Sequence, residues 1–330
     1  MNTRIISPKE EFLNALDHRK IINSVPIWEL EFHLWEKFGL GKFWLGVDFL
    51  NLSKAEKEKA LFTNVDTVEK VCDLLHFAAI TIPGGYWEVS PGEPAFFWLP
   101  DEYRFRQAAL FKERLGDKIA MVANAGGIMG MPEGNEYVDF SIKMMIEPDE
   151  IDLIAERKFQ DGIDMINRFS DLGMDVILTA SDIADSHSLY FNPEQLERYI
   201  YPYLSKWAEF VKSKNLHSIM HTDGDVNNAL QRIVDCKVNG LQAIDSTANM
   251  DILGILQTYS TQLCVCGNVD CGLIITGTPD QVYEATKNLL IQTKPFGSFA
   301  LGASNALEFK TPQENYLAIV EAWKDFGQAI

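Results

Sequence analysis

Short apolar runs recur along the chain at intervals that leave room for a helix between them. They fall at about 25–29 (VPIWE), 77–82 (FAAITI), 119–123 (IAMVA), 175–180 (DVILTA), 217–221 (HSIMH), 240–245 (GLQAID), 262–268 (QLCVCGN) and 297–303 (GSFALGA). Runs of this length and composition predict strands. From the third run onward the intervening stretches show helical spacing. In 194–211, Leu196, Tyr199, Ile200, Tyr203, Leu204, Trp207 and Val211 recur at three and four, which predicts one buried face. Pro202 inside that stretch predicts a kink or a break.

Four helix starts share one design. Ser7-Pro8-Lys9-Glu10, Asn192-Pro193-Glu194-Gln195, Thr278-Pro279-Asp280-Gln281 and Thr311-Pro312-Gln313-Glu314 each place a capping side chain before proline. The proline's missing N–H costs nothing at the first helical position. Glu or Gln three residues after the cap can bond back to it. Eight strands alternating with helices predict an α/β fold, a (β/α)8 TIM barrel formed as a single domain over 1–330. The rival is a doubly wound open sheet, but no glycine-rich phosphate fingerprint follows an early strand.

The segment 30–112 fits the alternation poorly. It carries Trp35, Trp44, Trp87 and Trp98, four of the seven tryptophans, with Gly84, Gly85, Pro91, Pro94 and Pro100. Two readings stand for this N-terminal elaboration: a wall or lid over the barrel mouth, or an aromatic packing region with no ligand role.

Composition then narrows the partners. Hydrophobic residues make up 47% of the 330, enough for a large core, and the net charge is −18. An acidic surface disfavours nucleic acid and anionic membranes, both of which recruit Lys and Arg. No uncharged apolar run approaches the roughly 18 residues of a membrane span. The opening MNTRIISPKEEFLNAL lacks the apolar stretch and small-residue cleavage site of a signal peptide. Five cysteines, an odd count in a chain this long, argue against a disulfide framework. A reducing cytoplasm is the expected location.

In a barrel the strand ends at one face carry function. Glu29 and Glu31 close or follow the first run, and Asn124 follows the third. Ser181, Asp182, Asp185 and His187 follow the fourth. His221 ends the fifth, followed by Asp223 and Asp225. Asp245 ends the sixth, Asn268 the seventh, and Ser304 and Asn305 follow the eighth. Each alone could be a turn former. Together they mark a candidate site, with His221, Asp223 and Asp182 as catalytic candidates. Glu29, Glu31, Asn124, Asp245, Asn268 and Asn305 are candidates to bind substrate.

The run HTDGD, His221 to Asp225, is the sharpest signal. Residues two apart on extended backbone point the same way, so His221 and Asp223 face one side, and Gly224 permits a turn. Such a pair ligates a metal, or acts as a general base with its orienting carboxylate; a histidine merely hydrogen-bonded in a polar mouth is the third reading. The cysteine-rich CVCGNVDCG, 264–272, lacks the paired CxxC knuckles of a four-cysteine zinc site and the CxxC of a thiol oxidoreductase. Cys264 is expected to pack as a small hydrophobe. At most one or two of Cys266 and Cys271 are expected to join His221 and Asp223 around a metal.

Four stretches resemble the uroporphyrinogen decarboxylase superfamily: GMDVILTASDIADSHSLYFNPEQLERYIYPYLSKW, IMHTDGDVNNALQRIVDCKVNGLQAID, CGNVDCGLIITGTPDQV and FALGASNALEFKTPQENYLAIVEA. The opening SPKEEFLNALDHRKIINSVPIWE resembles it more weakly. The resemblance implies a (β/α)8 barrel and either of two chemistries. Decarboxylases of the family carry an arginine-bearing segment after the first strand to grip carboxylates; here WELEFHLWEKFG stands in its place, with Glu29 and Glu31 and no arginine. The methyltransferases that use coenzyme M carry a zinc-binding His-x-Cys after the fifth strand and a Cys after the eighth. The corresponding positions read His221-x-Asp223 and Asn305, which keeps the histidine and loses both thiolates. That leaves an oxygen- and nitrogen-rich site.

The resemblance therefore points to the corrinoid-linked methyltransferase branch. It implies a cytoplasmic methyltransferase moving a methyl group between a small methylated substrate and a corrinoid protein, with zinc the candidate metal and the corrinoid supplied by that partner. A homodimer stays open. One alternative is a decarboxylase or lyase on a smaller carboxylate, for which Arg104 and Arg106 in DEYRFR are the candidate cations. Another is a non-catalytic barrel that binds a tetrapyrrole or a partner protein.

Overall fold

Seven of the eight apolar runs become strands of one parallel sheet. The computed structural model describes residues 6–38, 41–83, 88–90, 93–94, 98–132, 134 and 136–329. In chain order come β1 (Ala79–Thr81), the antiparallel pair β2 (Glu88–Ser90) and β3 (Glu93–Pro94) outside the main sheet, and β4 (Ala120–Asn124). Then follow β5 (Val176–Ala180), β6 (His217–His221), β7 (Gly240–Gln242), β8 (Cys264–Val269) and β9 (Phe299–Ala303). The sheet runs β1-β4-β5-β6-β7-β8-β9, each strand parallel to its neighbours.

The first predicted strand, 25–29, forms no strand. Ile27 instead makes one parallel bridge to Phe77, just before β1, and another to Leu301 in β9. Both edges of the curled sheet thus meet at one residue, and the barrel is not fully closed by a strand ladder. Pro26 contributes a reason: it accepts from Leu301 N at 2.8 Å but has no N–H to return.

Alternation along the strands separates two cores. Val122, Leu178, Ile219, Cys264, Cys266 and Ala300 point into the curl with Trp28 and Leu30. Met121, Ile177, Met220, Val265 and Leu301 point out to the helices. Burial on both faces is what a parallel sheet covered by crossover helices requires. The first helix, Pro8–Leu16, sends Phe12, Ala15 and Leu16 into the inner core. Lys9 N donates to Lys118 O ahead of β4, and Asn239 donates to Leu16 O ahead of β7. That helix therefore plugs the end where the strands begin and leaves the other end for chemistry.

Three of the four predicted capping boxes form, at Ser7/Glu10, Asn192/Gln195 and Thr278/Gln281. The fourth does not. Its helix spans Gln313–Phe326 with Pro312 as cap, and Thr311 is fully buried with an unpartnered hydroxyl. Pro202 neither kinks the chain sharply nor breaks it. Pro193–Gln195 passes through a wide turn at Leu196–Ile200 into the helix Tyr201–Ser213, so the proline falls in a first turn where its missing N–H is tolerated.

The aromatic N-terminal region is a cluster. The ring of Phe32 lies 4.8 Å from that of Trp35, 5.1 Å from Phe77 and 5.2 Å from Tyr316. Trp87, Gly84, Gly85 and Pro91 lie outside the described residues. Among those described, no helix is long and apolar enough to cross a membrane.

Candidate functional site

β5, β6 and β7 end level with one another. His221 is in register with Ala180 on one side and Gln242 on the other. Two residues past the ends of β5 and β6 stand Asp182 and Asp223. The chain turns there because Gly224 has φ +89°, and a Cβ at that position would lie 2.3 Å from the carbonyl oxygen of Asp185. The loop after β6 is thereby held against the loop after β5, and Asp225 N donates to Asp185 O at 2.7 Å.

The result is a tight three-residue group. Asp182, His221 and Asp223 each offer one donor atom, and the three atoms lie within 4.8 Å of one another. His221 Nε2 is 3.8 Å from Asp182 Oδ1 and 3.9 Å from Asp223 Oδ1. Asp223 N donates to Asp182 Oδ1 at 2.8 Å, and Asn305 Nδ2 donates to Asp223 Oδ2 at 2.6 Å. Burial pushes the Asp223 carboxyl above its ordinary range; His221 opposes the rise, and Asp182 and Asp245 add to it.

Gln242 sets the state of the imidazole. Its Nε2 sits 3.4 Å from the carbonyls of both Ala303 and Ser304, so its Oε1 turns to His221 Nδ1 at 2.5 Å. This assignment of the amide makes Nδ1–H the donor and leaves the Nε2 lone pair facing two carboxylates. Three electron-rich atoms so arranged repel one another unless a proton or a cation sits among them. The donor set, one imidazole and two carboxylates, suits a borderline or hard divalent ion.

Above the group opens a cavity of about 630 Å³. Asp182, Asp185, Asp223, Asp245 and Asp270 line it, with Asn305, Ser304 and Cys271 at one side and Tyr137 and Tyr190 at another. No Lys or Arg is among its described lining residues. Asp245 and Asp270 also hold backbone: Asp245 accepts from Thr247 N at 2.8 Å, and Asp270 from Leu273 N at 2.5 Å.

The other sequence candidates divide by place. Cys271 lines the cavity, but its Sγ accepts from Asn305 N at 3.3 Å and burial pushes its thiol up to about 11, so it is neutral near pH 7. Cys266 is fully buried in the inner core beside Cys264. Neither belongs to the three-residue group: of the cysteine-rich stretch, Cys264 and Cys266 pack in the inner core, while Asp270 and Cys271 line the cavity. Glu29 is buried, accepting from Ala303 N at 2.9 Å and Tyr316 OH at 2.8 Å. Glu31 is paired with His33 at 2.8 Å, both buried. Asn124 Oδ1 accepts from Gly126 N at 3.0 Å, and Asn268 Nδ2 donates to Ile244 O at 2.7 Å. None of these four, and none of the described residues of 30–112, lines the cavity. Arg104 is buried with Nη2 2.6 Å from Asn124 O, and the exposed side chain of Arg106 faces Glu58 at 3.8 Å; neither lines the cavity.

Sequence reading missed Gln242, Tyr137, Tyr190 and Tyr316. Gln242 carried a usable signal, a lone amide at a strand position flanked by Leu241 and Ala243. The tyrosines carried none, because aromatic residues at such spacings are ordinarily core.

Comparison with known proteins places this geometry. Residues 102–326 match the family model described as uroporphyrinogen decarboxylase. A methylcobamide:CoM methyltransferase of Methanosarcina acetivorans is 27% identical over 134 residues, 40% of this chain and 37% of that protein. The chain thus matches little more than a third of that relative's length. A methyltransferase from Methanosarcina mazei superposes with a TM-score of 0.69 at 17% identity, covering 98% of this chain and 99% of the other, which is a likeness of fold.

Proposed function

Because the chain belongs to the uroporphyrinogen decarboxylase family, we propose that it is a methyltransferase of that family, built on a (β/α)8 barrel whose first strand is reduced to the bridge at Ile27. It would act as one domain in the cytoplasm, moving a methyl group between a small methylated substrate and a corrinoid protein. The likeness to a methylcobamide:CoM methyltransferase supports this reading. The observation that carries it is the grouping of His221 with Asp182 and Asp223, the two aspartates lining a cavity that has no Lys or Arg among its described lining residues. A decarboxylase of this family would need positive charge to hold carboxylates, and Arg104 and Arg106 lie elsewhere.

Asp182, His221 and Asp223 would hold a divalent ion, zinc being one that accepts this donor set. Such an ion supplies Lewis acidity toward a substrate heteroatom. The chain's own residues do the rest. Gln242 keeps the His221 proton on Nδ1 and so keeps Nε2 aimed at the site. Asn305 fixes one oxygen of Asp223 and leaves the other facing His221. With no ion bound, a proton on Nε2 would make His221 the donor to a departing heteroatom. Asp182, Asp245 and Asn305 would orient the substrate, and the open mouth would admit the partner that takes the methyl group.

The test incubates purified protein with a cobalt(I) corrinoid protein and a panel of methoxy, methylthio and methylamine donors. Appearance of methyl–cobalt absorbance with at least one donor, lost by about 10² or more in His221→Ala, is expected for a residue in the transition state. No methyl–cobalt signal across the panel removes the reading.

A further inference from the structure

We propose that the cavity above Asp182, His221 and Asp223 selects a positively charged methyl donor, a methylated ammonium compound, over neutral or anionic ones. The inference rests on the reading of this cavity as the methyl-donor site. Three observations meet there. The first is charge. Two of the five lining aspartates, Asp182 and Asp223, belong to the three-residue group and would be neutralised by a bound divalent ion. Asp185, Asp245 and Asp270 remain, and among the described residues no Lys or Arg lines the cavity to offset them. Asp185 accepts from His187 N and Ser188 N, and these bonds hold its carboxyl below the usual range, so it stays ionised. Asp245 lines the same cavity as Asp223 and also caps Thr247 N at 2.8 Å.

The second observation is the aromatic wall. Tyr137 and Tyr190 both line the cavity, their ring centroids 5.9 Å apart at 67°. Two rings inclined at 67° present π surface along more than one direction. Methyl groups on a positive nitrogen are drawn to such surfaces through the ring quadrupole. The third is size. About 630 Å³ falls in the ordinary range of small-molecule sites and far exceeds what a bare ion needs. Acidic groups and tyrosines around such a volume match an alkylated cation. A carboxylate, phosphate or sulfonate would meet repulsion from Asp185, Asp245 and Asp270.

Binding calorimetry on the whole protein, with and without added zinc, tests this apart from catalysis. The probes are trimethylammonium, tetramethylammonium and choline, set against the neutral choline isostere 3,3-dimethylbutan-1-ol and against acetate. At least one cation is expected to bind ten-fold or more tightly than the isostere, with acetate undetectable. That advantage should shrink as salt rises from 20 to 500 mM, as an attraction between charges must. It should also fall several-fold in Asp245→Asn, whose amide oxygen can still cap Thr247, and in Tyr190→Leu. If no cation outbinds the isostere, or acetate binds best, the proposal is overturned. If a cation binds selectively but no donor methylates the corrinoid, the selectivity stands and the methyltransferase reading falls. If a neutral methoxy donor turns over while no cation binds, the reverse holds.

Discussion

Single residues in this protein act through what surrounds them. Glu29 looked like a ligand at the end of a strand; folding made it a buried acid. Burial raises its carboxyl from 4.5 to about 8, and the bonds from Ala303 N and Tyr316 OH only partly oppose the rise. The unfolded chain gives up this proton near the ordinary value, the folded chain only near 8. The stabilisation is therefore complete below about pH 4.5 and is lost as pH rises toward 8, on the order of 5 kcal/mol across the window. Glu29→Gln should remove that slope: urea midpoints of the variant and the parent, compared from pH 4.5 to 8, should converge at the acid end and diverge in the variant's favour at the alkaline end. Gln242 is the second case. Replacing it with Leu frees the His221 ring to take its other tautomer, and metal affinity, read by competition with a chromophoric chelator, should fall 10- to 100-fold.

Between elements, one close approach joins the helix Pro148–Asp171 to the loop after β4. Gly162 faces Gly127, whose φ is +111°, and a Cβ on Gly162 would lie 2.3 Å from the Gly127 Cα. Backbone is on both sides, so no side chain can swing away. Gly162→Ala should destabilise the fold by about 1–3 kcal/mol, seen as a lower urea midpoint with unchanged slope. That loop leads to Met131 and Pro132 in the cavity wall, so ligand binding should weaken with it. Here sequence reading succeeded in part. Capping residues at Ser7, Asn192 and Thr278 announced their helices because a cap is decided within four residues. Thr311 looked identical and failed, because tertiary packing buried it.

At the scale of the molecule, the two ends of the sheet have different tasks: Pro8–Leu16 fills one, and loops carrying Asp182, Asp223 and Asn305 surround the other. A divalent ion bound at the open end would bind only the folded chain, since β5 and β6 must pair before its ligands meet. At a free concentration a hundred times Kd it should add about 2.7 kcal/mol of stability. Differential scanning calorimetry with zinc should show a higher melting temperature, and Asp182→Asn/His221→Ala should show none of the gain. The gain should shrink as pH falls, and do so above the ordinary carboxylate range, because the raised Asp223 carboxyl must lose its proton to bind.

The sequence by itself determined the strand count of the main sheet to within one, three of four predicted helix caps and the acidic character, and it marked the loops after the strands as candidates for chemistry. These are local or compositional properties, fixed by periodicity, by caps and by charge. Tertiary structure decided which of the candidate polar residues share a space. Strand register put His221 beside Gln242 and between two aspartates, and curling of the sheet sent Cys266 inward and Glu29 out of water. Spacing along a chain gives the direction a side chain leaves the backbone. Only the packing of distant strands says what it meets there.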